Sequence, residues 1–404
     1  MNNHYVPQLI LRKYGGKHIC FYDIKNKELK EHVKTEESFA SHDIYPDEIE
    51  IKLNKKIEGV FANLLNNKIL KCKSKISLKR SEIYLIKKFL LISTFRTSDT
   101  EKTIEEEKNY YNSLIEYWQS KGETQEDIES HLHLPPFKEK EIANETNRSY
   151  WIRTIDTFLN SKNCTQEEIS KDKNATYAAY RWAGVVNTAF IGIWDSEFTR
   201  DEFLITDVGM TSENEVGWTP LLPNVKKNEF LIPLFQKYYK KDRNLASLIY
   251  VQMDNLTRFT ENFMMFPLSA KRMIVLISPF FTLRKELENK GFKVKPLSYY
   301  SKLTNMELYQ HNQVKYVHPP KPDTFEHIYD ENDVYIYQIH KLTRYETRYC
   351  NELFLDRIDR YVGFSSLEKA QFSILKYYKD YIGHTPRRDY NKLIQIIRDK
   401  QNTK

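Results

Sequence analysis

The residues with the most specific chemistry in this sequence are one histidine, one aspartate and a few basic side chains. His4 lies near the start of the chain, and a histidine titrates close to neutral pH, so it can take or give a proton. Asp207 could orient that ring or hold a metal ion. Arg12 and Arg96 carry forked guanidinium groups that suit phosphate or carboxylate, and Lys271 adds a point charge.

This set predicts cleavage or transfer at a phosphate ester. We assign His4 as the general acid or base, with Asp207 and Arg96 as the other catalytic residues. The predicted substrate-binding residues are side chains that could hold phosphate oxygens: Arg12, Lys271, Ser269 and Asn351. The sequence leaves the metal ligands undefined, and a divalent ion such as Mg²⁺ stays open as a cofactor.

The elements that must position these residues follow from hydrophobic periodicity. We predict a strand over residues 6–11 directly after His4, a strand over 202–206 that ends at Asp207, and a helix over 78–96 that ends at Arg96. Ends of elements are where side chains converge into clefts. The other predicted strands are residues 18–24, 29–33, 190–194, 273–277 and 334–337. The other predicted helices are residues 49–64, 99–121, 146–160, 174–190, 303–316, 340–361 and two at the C-terminus.

The pattern predicts an α+β fold that is predominantly helical. One mixed or antiparallel sheet is expected, built from the N-terminal strands and strands near 190–207, 272–278 and 334–338. Residues 1–362 are predicted to form a single large domain with a helical insertion at about 100–160. Residues 363–404 are predicted to form a helical extension packed on it. A chain of 404 residues is long enough for this arrangement.

Composition indicates a folded chain with a basic surface. The sequence is 40% hydrophobic and 14% aromatic, which is not the composition of a disordered protein. A net charge of +7 indicates affinity for a polyanion such as nucleic acid or a nucleotide, although compositional bias explains the total equally well. The four cysteines are scattered, and no apolar run reaches the roughly 20 residues of a membrane helix. We therefore expect a cytoplasmic protein without membrane contact, and leave a homo-oligomer open.

Five motifs resemble a bacterial family, domain of unknown function family 4238. They are the opening His4-Tyr5-Val6-Pro7 with Leu11-Arg12, then Phe95-Arg96-Thr97, then Trp194 with Phe203-Leu204-Ile205-Thr206-Asp207, then Phe266-Pro267-Leu268-Ser269, and finally Cys350-Asn351 with Arg360-Tyr361-Val362. The resemblance implies a shared fold and a shared site more strongly than it implies a reaction. The family segment Phe-Ile-Thr-Ser-Asp-Asn-Pro continues here as Val208-Gly209 after Asp207, which is a departure at that turn.

Several enzyme classes are excluded by the absence of their motifs. The sequence has no GxGxxG and no GxxxxGK[ST] loop, so a dinucleotide-binding or P-loop enzyme is not expected. It has no GxSxG nucleophile elbow. Scattered cysteines without a CxxC pair argue against a zinc ribbon.

Weaker candidates remain for metal or nucleic-acid binding. Glu50 and Glu58 are eight residues apart, close to two helical turns, and with Asp207 they could form a carboxylate metal site, although a solvated helix face is the simpler interpretation. The pairs His131 with His133 and His311 with His318 could bind a metal or lie on the surface. The basic segment 386–392 contains an aromatic residue and could contact nucleic acid.

Two classes of function stay open. The leading hypothesis is a phosphodiester hydrolase, a nuclease-type effector in phage defence or growth control. The alternative is a non-catalytic binding or sensor module that recognises an anionic ligand, nucleic acid or a protein, and a small-molecule transferase or hydrolase is a third reading.

The same polar residues also have structural interpretations. His4 and Arg12 could pair with acidic neighbours and fix the terminus. Arg96 could stabilise the carbonyl end of a helix. Asp207 could bond the backbone of a turn, and Asn351 could make a buried hydrogen bond.

Overall fold

A computed structural model describes residues 2–42, 46–97, 100–120, 122–124, 145–196, 199–209, 211–218, 259–277, 311–319, 330–379 and 388–403. Within these ranges the chain has an α+β fold, as the sequence predicts. The predictions for residues 303–310 and for His131 and His133 lie outside the described residues.

The strands are short and come from all parts of the chain. They are β1 (Asn2–His4), β2 (His18–Asp23), β3 (Glu28–Lys34), β4 (Ala40–His42), β5 (Lys75–Lys79), β6 (Phe190–Asp195), β7 (Ile205–Thr206), β8 (Thr211–Trp218), β9 (Phe259–Pro267), β10 (Arg272–Ile277), β11 (His311–Lys315), β12 (Val334–Lys341) and β13 (Tyr361–Phe364).

The helices lie mostly between β1 and β6 and after β12. They are α1 (Gln8–Gly15), α2 (Asp47–Leu53), α3 (Gly59–Leu64), α4 (Arg80–Thr94), α5 (Thr100–Gln119), α6 (Asn147–Asn160), α7 (Gln166–Ser170), α8 (Tyr177–Thr188), α9 (Arg344–Arg357), α10 (Leu367–Lys379) and α11 (Asn391–Asn402). Within the part of the chain that the structure describes, no helix has the length and apolar character to cross a membrane.

The described strands form three sheets, so the prediction of one sheet is wrong. β1 pairs with β4 alone, and β3, β2, β13 and β7 form an antiparallel sheet in that order. The largest sheet has the order β11-β12-β6-β10-β9-β8, with β5 also paired to β12. Strands β2 and β3 do not join β6 or β10. Strand β2 pairs with β3 along one edge and with β13 along the other.

The central strands β6 and β10 of the large sheet are buried on both faces. Alternate residues of β10 point to opposite sides, so Ile274 and Leu276 join the main helical core, whereas Met273 and Val275 pack in a second core against α9. This explains why β6 and β10 are continuous apolar runs without polar alternation. A third core lies between β2, β13 and the helices α10 and α11. The predicted boundary between a domain at 1–362 and an extension at 363–404 stays a prediction. Helices α10 and α11 share the third core with strands β2 and β13.

The predicted strand at residues 6–11 is wrong, because this segment begins helix α1. Pro7 has φ −53° and stands directly before the helix, where its fixed φ and missing N–H are tolerated. Ile10, Leu11 and Tyr14 are buried at helical spacing. The short apolar run fits both the two-residue period of a strand and the 3.6-residue period of a helix. The segment forms a helix because that conformation buries its apolar face.

Three other boundaries differ from the prediction. The described part of the predicted helix 303–316 contains strand β11, paired with β12. The predicted helix 340–361 shortens to α9, because its first residues continue β12 and its last begins β13. In the predicted strand 202–206 only Ile205–Thr206 pairs, since Val362 and Gly363 offer partners to those two residues alone.

The helical segment from α2 to residue 69 is underwound, for a reason visible in its sequence. Its buried apolar residues recur at every fourth position: Ile49, Leu53, Ile57, Phe61, Leu65 and Ile69. A regular α-helix with 3.6 residues per turn would rotate this row by about 40° at each step. Two π-helical turns, Asn54–Glu58 and Leu65–Ile69, absorb the rotation and keep the row on one face.

Replacing Phe61 with alanine tests this helical phase. Phe61 is fully buried and stacks on Phe89 with ring centroids 3.8 Å apart. We expect Phe61→Ala to lower the free energy of unfolding by about 3–5 kcal/mol in urea denaturation. The adjacent Val60 is 52% exposed, so Val60→Ala is the matched control and should change stability by no more than about 0.5 kcal/mol. Equal effects of the two substitutions would contradict the assigned phase.

Candidate functional site

His4 is held at the N-terminus through its backbone. It ends β1, where it pairs with Ala40 of β4, and the next residue, Tyr5, donates its backbone N–H to the carbonyl of Phe39 at 2.9 Å. The carbonyl of His4 accepts a hydrogen bond from Nη2 of Arg96 at 3.0 Å. The terminus is therefore fixed, and the ring of His4 has a defined position.

Arg96 lies just beyond α4 and joins His4 to two acidic residues. Its Nη1 donates to Glu58, and its Nη2 lies 3.4 Å from Oε2 of Glu50. All three side chains are buried. The expected solvated face for Glu50 and Glu58 is therefore wrong, because a buried guanidinium requires compensating carboxylates.

The π-helical turn gives Glu50 and Glu58 a common direction. Two regular α-helical turns take 7.2 residues, so an eight-residue spacing would leave the second carboxylate about 80° away from the first. The extra residue of the turn Asn54–Glu58 removes most of that difference. Both carboxylates thereby reach the same guanidinium.

The ring of His4 is buried and contacts Gln8. Nε2 of His4 lies 3.2 Å from Nε2 of the Gln8 side chain, and the ring also bonds the backbone of Glu36. Burial lowers the pKa of His4, and the charge of Arg96 acts in the same direction, whereas Glu50 and Glu58 oppose it. The ring is therefore held in its neutral form at pH 7.

Arg12 completes a hydrogen-bonded chain from the buried ring to solvent. Its Nη2 donates to Oε1 of Gln8 at 2.9 Å and lies 3.4 Å from Oε1 of Glu36. Gln8 and Arg12 are four residues apart on α1, and such residues are neighbours on a helix. His4 reaches Gln8 across the bend that joins β1 to α1. The guanidinium side chain is 51% exposed. Sequence reasoning missed Gln8 because it read this segment as a strand.

Asp207 makes its hydrogen bonds to the segment that leads into β13. Its carboxylate accepts hydrogen bonds from the backbone N–H groups of Asp359 and Arg360, at 3.3 and 2.8 Å, directly before β13. Both nitrogens of the His4 ring have other partners, so Asp207 does not orient that ring. Burial, and after it the charge of Asp359, raise the pKa of Asp207 to about 6.

Lys271 and Ser269 fix the turn that leads into β10. Nζ of Lys271 donates to three backbone carbonyls, of Ser196, Thr199 and Asp201, at 2.8–3.3 Å. Oγ of Ser269 accepts hydrogen bonds from the backbone N–H groups of Lys271 and Arg272, at 3.1 and 2.9 Å. The named hydrogen bonds of both side chains are thus made to backbone groups nearby.

Asn351 clamps the segment between β6 and β7 from the opposite side. Its Oδ1 accepts from the N–H of Leu204 at 2.9 Å, and its Nδ2 donates to the carbonyl of Glu202 and to Oγ of Ser373. The side chain is fully buried. The buried hydrogen bond named as its structural interpretation is therefore present.

The predicted site residues thus divide into two groups. His4, Arg96 and Arg12 come together at the N-terminus, joined by Gln8, Glu50 and Glu58. The other four residues fix backbone near the segment 199–207 and the start of β13: Asp207, Lys271, Ser269 and Asn351. No group of three or more His, Cys, Asp or Glu side chains within the described ranges is arranged to hold a metal ion, so the proposed site of Glu50, Glu58 and Asp207 does not form.

The remaining candidates give no second site. His318 lies 3.6 Å from Asp330, and the side chain of His311 lies outside the described residues. In the basic tail, Tyr390 is fully buried and its hydroxyl donates to the carbonyl of Leu355. That aromatic ring is therefore a core residue and cannot stack on a base.

A comparison with protein families agrees with the motifs. A family model described as "Protein of unknown function (DUF4238)" matches residues 2–368, which includes both groups of site residues. No curated protein and no solved structure matches the chain significantly.

Replacing Arg96 with methionine tests the buried charge cluster. The substitution leaves Glu50 and Glu58 buried without their cation, so we expect the free energy of unfolding at pH 7 to fall by about 3–5 kcal/mol. The triple variant Arg96→Met, Glu50→Gln, Glu58→Gln removes all three charges and should recover part of this loss. If the triple variant is as unstable as the single one, the ionic account of the cluster is wrong.

Asp207 predicts a specific dependence of stability on pH. Its folded-state pKa of about 6 exceeds its ordinary value of 3.8, so its contribution to stability is complete below pH 4 and is lost as pH rises to about 6. We expect the free energy of unfolding of the wild type, relative to Asp207→Asn, to fall by about 3 kcal/mol between pH 4 and 7. Urea denaturation at each pH measures this difference.

The variant Asp359→Asn is the control for this pH dependence. It removes the neighbouring charge that raises the pKa of Asp207. The folded-state pKa of Asp207 should therefore fall, and the midpoint of the loss of stability should move to lower pH. A difference between wild type and Asp207→Asn that is constant from pH 4 to 7 would contradict the assigned pKa.

Proposed function

The chain belongs to the DUF4238 family of proteins of unknown function, and from its N-terminal site we propose that it hydrolyses phosphodiester bonds with His4 as the general base. The observation that carries the proposal is the position of the His4 ring. Its Nε2 lies 3.2 Å from the side chain of Gln8, a half-exposed residue, and burial lowers the pKa of the ring, which favours its neutral form. A general base needs an unprotonated nitrogen within reach of the hydroxyl that it deprotonates.

Arg12 supports a phosphate substrate. Its guanidinium is exposed, lies one side chain away from the His4 ring and is able to bind two phosphate oxygens in a fork. The net charge of +7 adds a general attraction for nucleic acid. Arg96 is engaged by Glu50 and Glu58, so its part in the proposal is to hold the backbone of His4.

In the proposed reaction, His4 acts first as a base and then as an acid. His4 Nε2 takes the proton of an attacking water as its oxygen forms a bond to phosphorus. The bond from phosphorus to the leaving oxygen then breaks, and that oxygen receives the proton from the imidazolium. The ring returns to its neutral state, and one water is consumed per bond cleaved. Action as a cytoplasmic effector in phage defence or growth control remains part of this proposal.

A non-catalytic binding or sensor module is the second candidate. It is favoured by the number of polar site residues whose hydrogen bonds are used within the protein, namely Asp207, Lys271, Ser269 and Asn351. In this case Arg12 would recognise an anionic ligand without cleavage.

Replacing His4 with glutamine tests the hydrolase. Purified wild type is incubated with single-stranded RNA and DNA, with and without Mg²⁺, and cleavage is followed on gels. Loss of the general base should lower the cleavage rate at least about 100-fold. His18→Gln changes an exposed histidine at the start of β2 and should leave the rate unchanged.

Two further measurements separate the candidates. The melting temperature of His4→Gln should stay near that of the wild type, since the backbone contacts of His4 are unaffected. If the wild type binds the oligonucleotides, loses this binding in Arg12→Ala and cleaves none of them under any condition, the binding module replaces the hydrolase.

A further inference from the structure

The side chain of Gln8 contacts both His4 and Arg12 of the proposed site. Its Nε2 faces Nε2 of His4, and its Oε1 accepts from Arg12. We propose that Gln8 is a positioning residue that keeps Nε2 of His4 unprotonated and covered until an anionic substrate occupies Arg12. This inference deepens the proposed function, and its consequence for catalysis rests on that function.

The hydrogen-bonding roles in this chain follow from its exposed end. Arginine has donors only, so the group of Gln8 that faces Arg12 must be the amide oxygen. The NH₂ group of Gln8 then faces His4, and an NH₂ group donates. The ring must therefore accept at Nε2 and carry its proton on Nδ1. The bond between the ring and the backbone of Glu36 supplies a partner for that proton.

Protonation of His4 would break this arrangement. A proton on Nε2 would set two donors against each other across 3.2 Å. Rotation of the Gln8 amide would relieve that contact, but it would turn the NH₂ group towards Arg12. While Arg12 stays in place, Gln8 therefore opposes the imidazolium in either orientation.

The other charges near the ring act in both directions. The buried carboxylates of Glu50 and Glu58 favour the imidazolium, whereas Arg96 opposes it, and Glu36 bonds the ring only through its backbone. Glu36 also pairs with Arg12 through its side chain. Glu36 and Gln8 therefore both connect the ring to the exposed arginine, and Gln8 does so through a single side-chain amide.

Binding of an anion changes the position of Gln8. A phosphate group that takes the Arg12 guanidinium removes the partner of Gln8 Oε1, so the Gln8 side chain is free to rotate away from His4. Nε2 then opens towards the attacking water beside the bound phosphate. The fitting substrate is therefore a phosphodiester whose phosphate Arg12 can bind, and capture of the anion precedes release of the base.

Replacing Gln8 with glutamate tests the assignment directly. A carboxylate accepts from Arg12 and from a protonated Nε2 at once, so Gln8→Glu should stabilise the imidazolium. We expect the pKa of His4, followed by NMR of [¹⁵N]histidine-labelled full-length protein, to rise by at least one unit. In the wild type at pH 7, Nδ1 should be protonated and Nε2 should not. His4→Gln identifies the His4 signals.

Two variants complete the test. Gln401→Glu adds the same charge at an exposed residue of α11 and should leave the His4 signals unchanged. Gln8→Met keeps the chain length but forms neither hydrogen bond, so inorganic phosphate should shift the His4 signals in the wild type and not in Gln8→Met.

The outcomes distinguish this inference from the proposed function. A wild-type His4 protonated at Nε2 at pH 7, or an unchanged His4 pKa in Gln8→Glu, overturns the role of Gln8. Expected His4 signals together with intact RNA and DNA reject the hydrolase and leave the assignment of Gln8 standing.

Discussion

The N-terminal site depends on the compensation of one buried charge, that of Arg96. Removing a guanidinium from water costs on the order of several kcal/mol, so the fold must bring carboxylates to it. They come from Glu50 and Glu58, and the carbonyl of His4 takes a further N–H group. Arg96 thereby joins the end of α4, the α2 segment and β1, three elements that share no hydrogen-bonded ladder.

The geometry of that compensation is set by the period of the apolar residues. The row from Ile49 to Ile69 spans twenty residues, whereas five α-helical turns take about eighteen. Each π-helical turn adds about one residue, so two such turns close the difference. The first of them also aligns the two carboxylates. Hydrophobic packing and charge compensation therefore impose the same distortion on this helix.

The sequence predicted most long elements, and three of the residues that it singled out come together at the N-terminus, but the sequence prediction failed where two periods fit equally well. Strands β6, β10 and β12 were recognised because their apolar runs are long. Residues 6–11 were misread, and the error hid Gln8. In an extended strand, Gln8 would lie about 13 Å from His4, too far to bond, whereas the bend between β1 and α1 brings them together.

Asp207 and Asn351 show a different limit of what a sequence can predict. Asp207 and Asn351 are polar residues beside chain segments without regular pairing, and such segments leave backbone groups that need partners. Both side chains satisfy those groups. A sequence marks such a residue as unusual, but it does not show whether the partner is a substrate or the protein's own backbone. Only the position of the neighbouring N–H and carbonyl groups decides that.

Several effects act on the protonation of His4 in opposite directions, and burial is the largest of them. Glu50, Glu58 and Arg96 together carry one net negative charge, which favours an imidazolium, while burial favours the neutral ring. A neutral hydrogen bond contributes about 1 kcal/mol, close to the free energy of one pKa unit. The proposed contact of Gln8 with Nε2 therefore adds to the effect of burial, and an anion at Arg12 removes that contact while the ring stays neutral, as its action as a base requires.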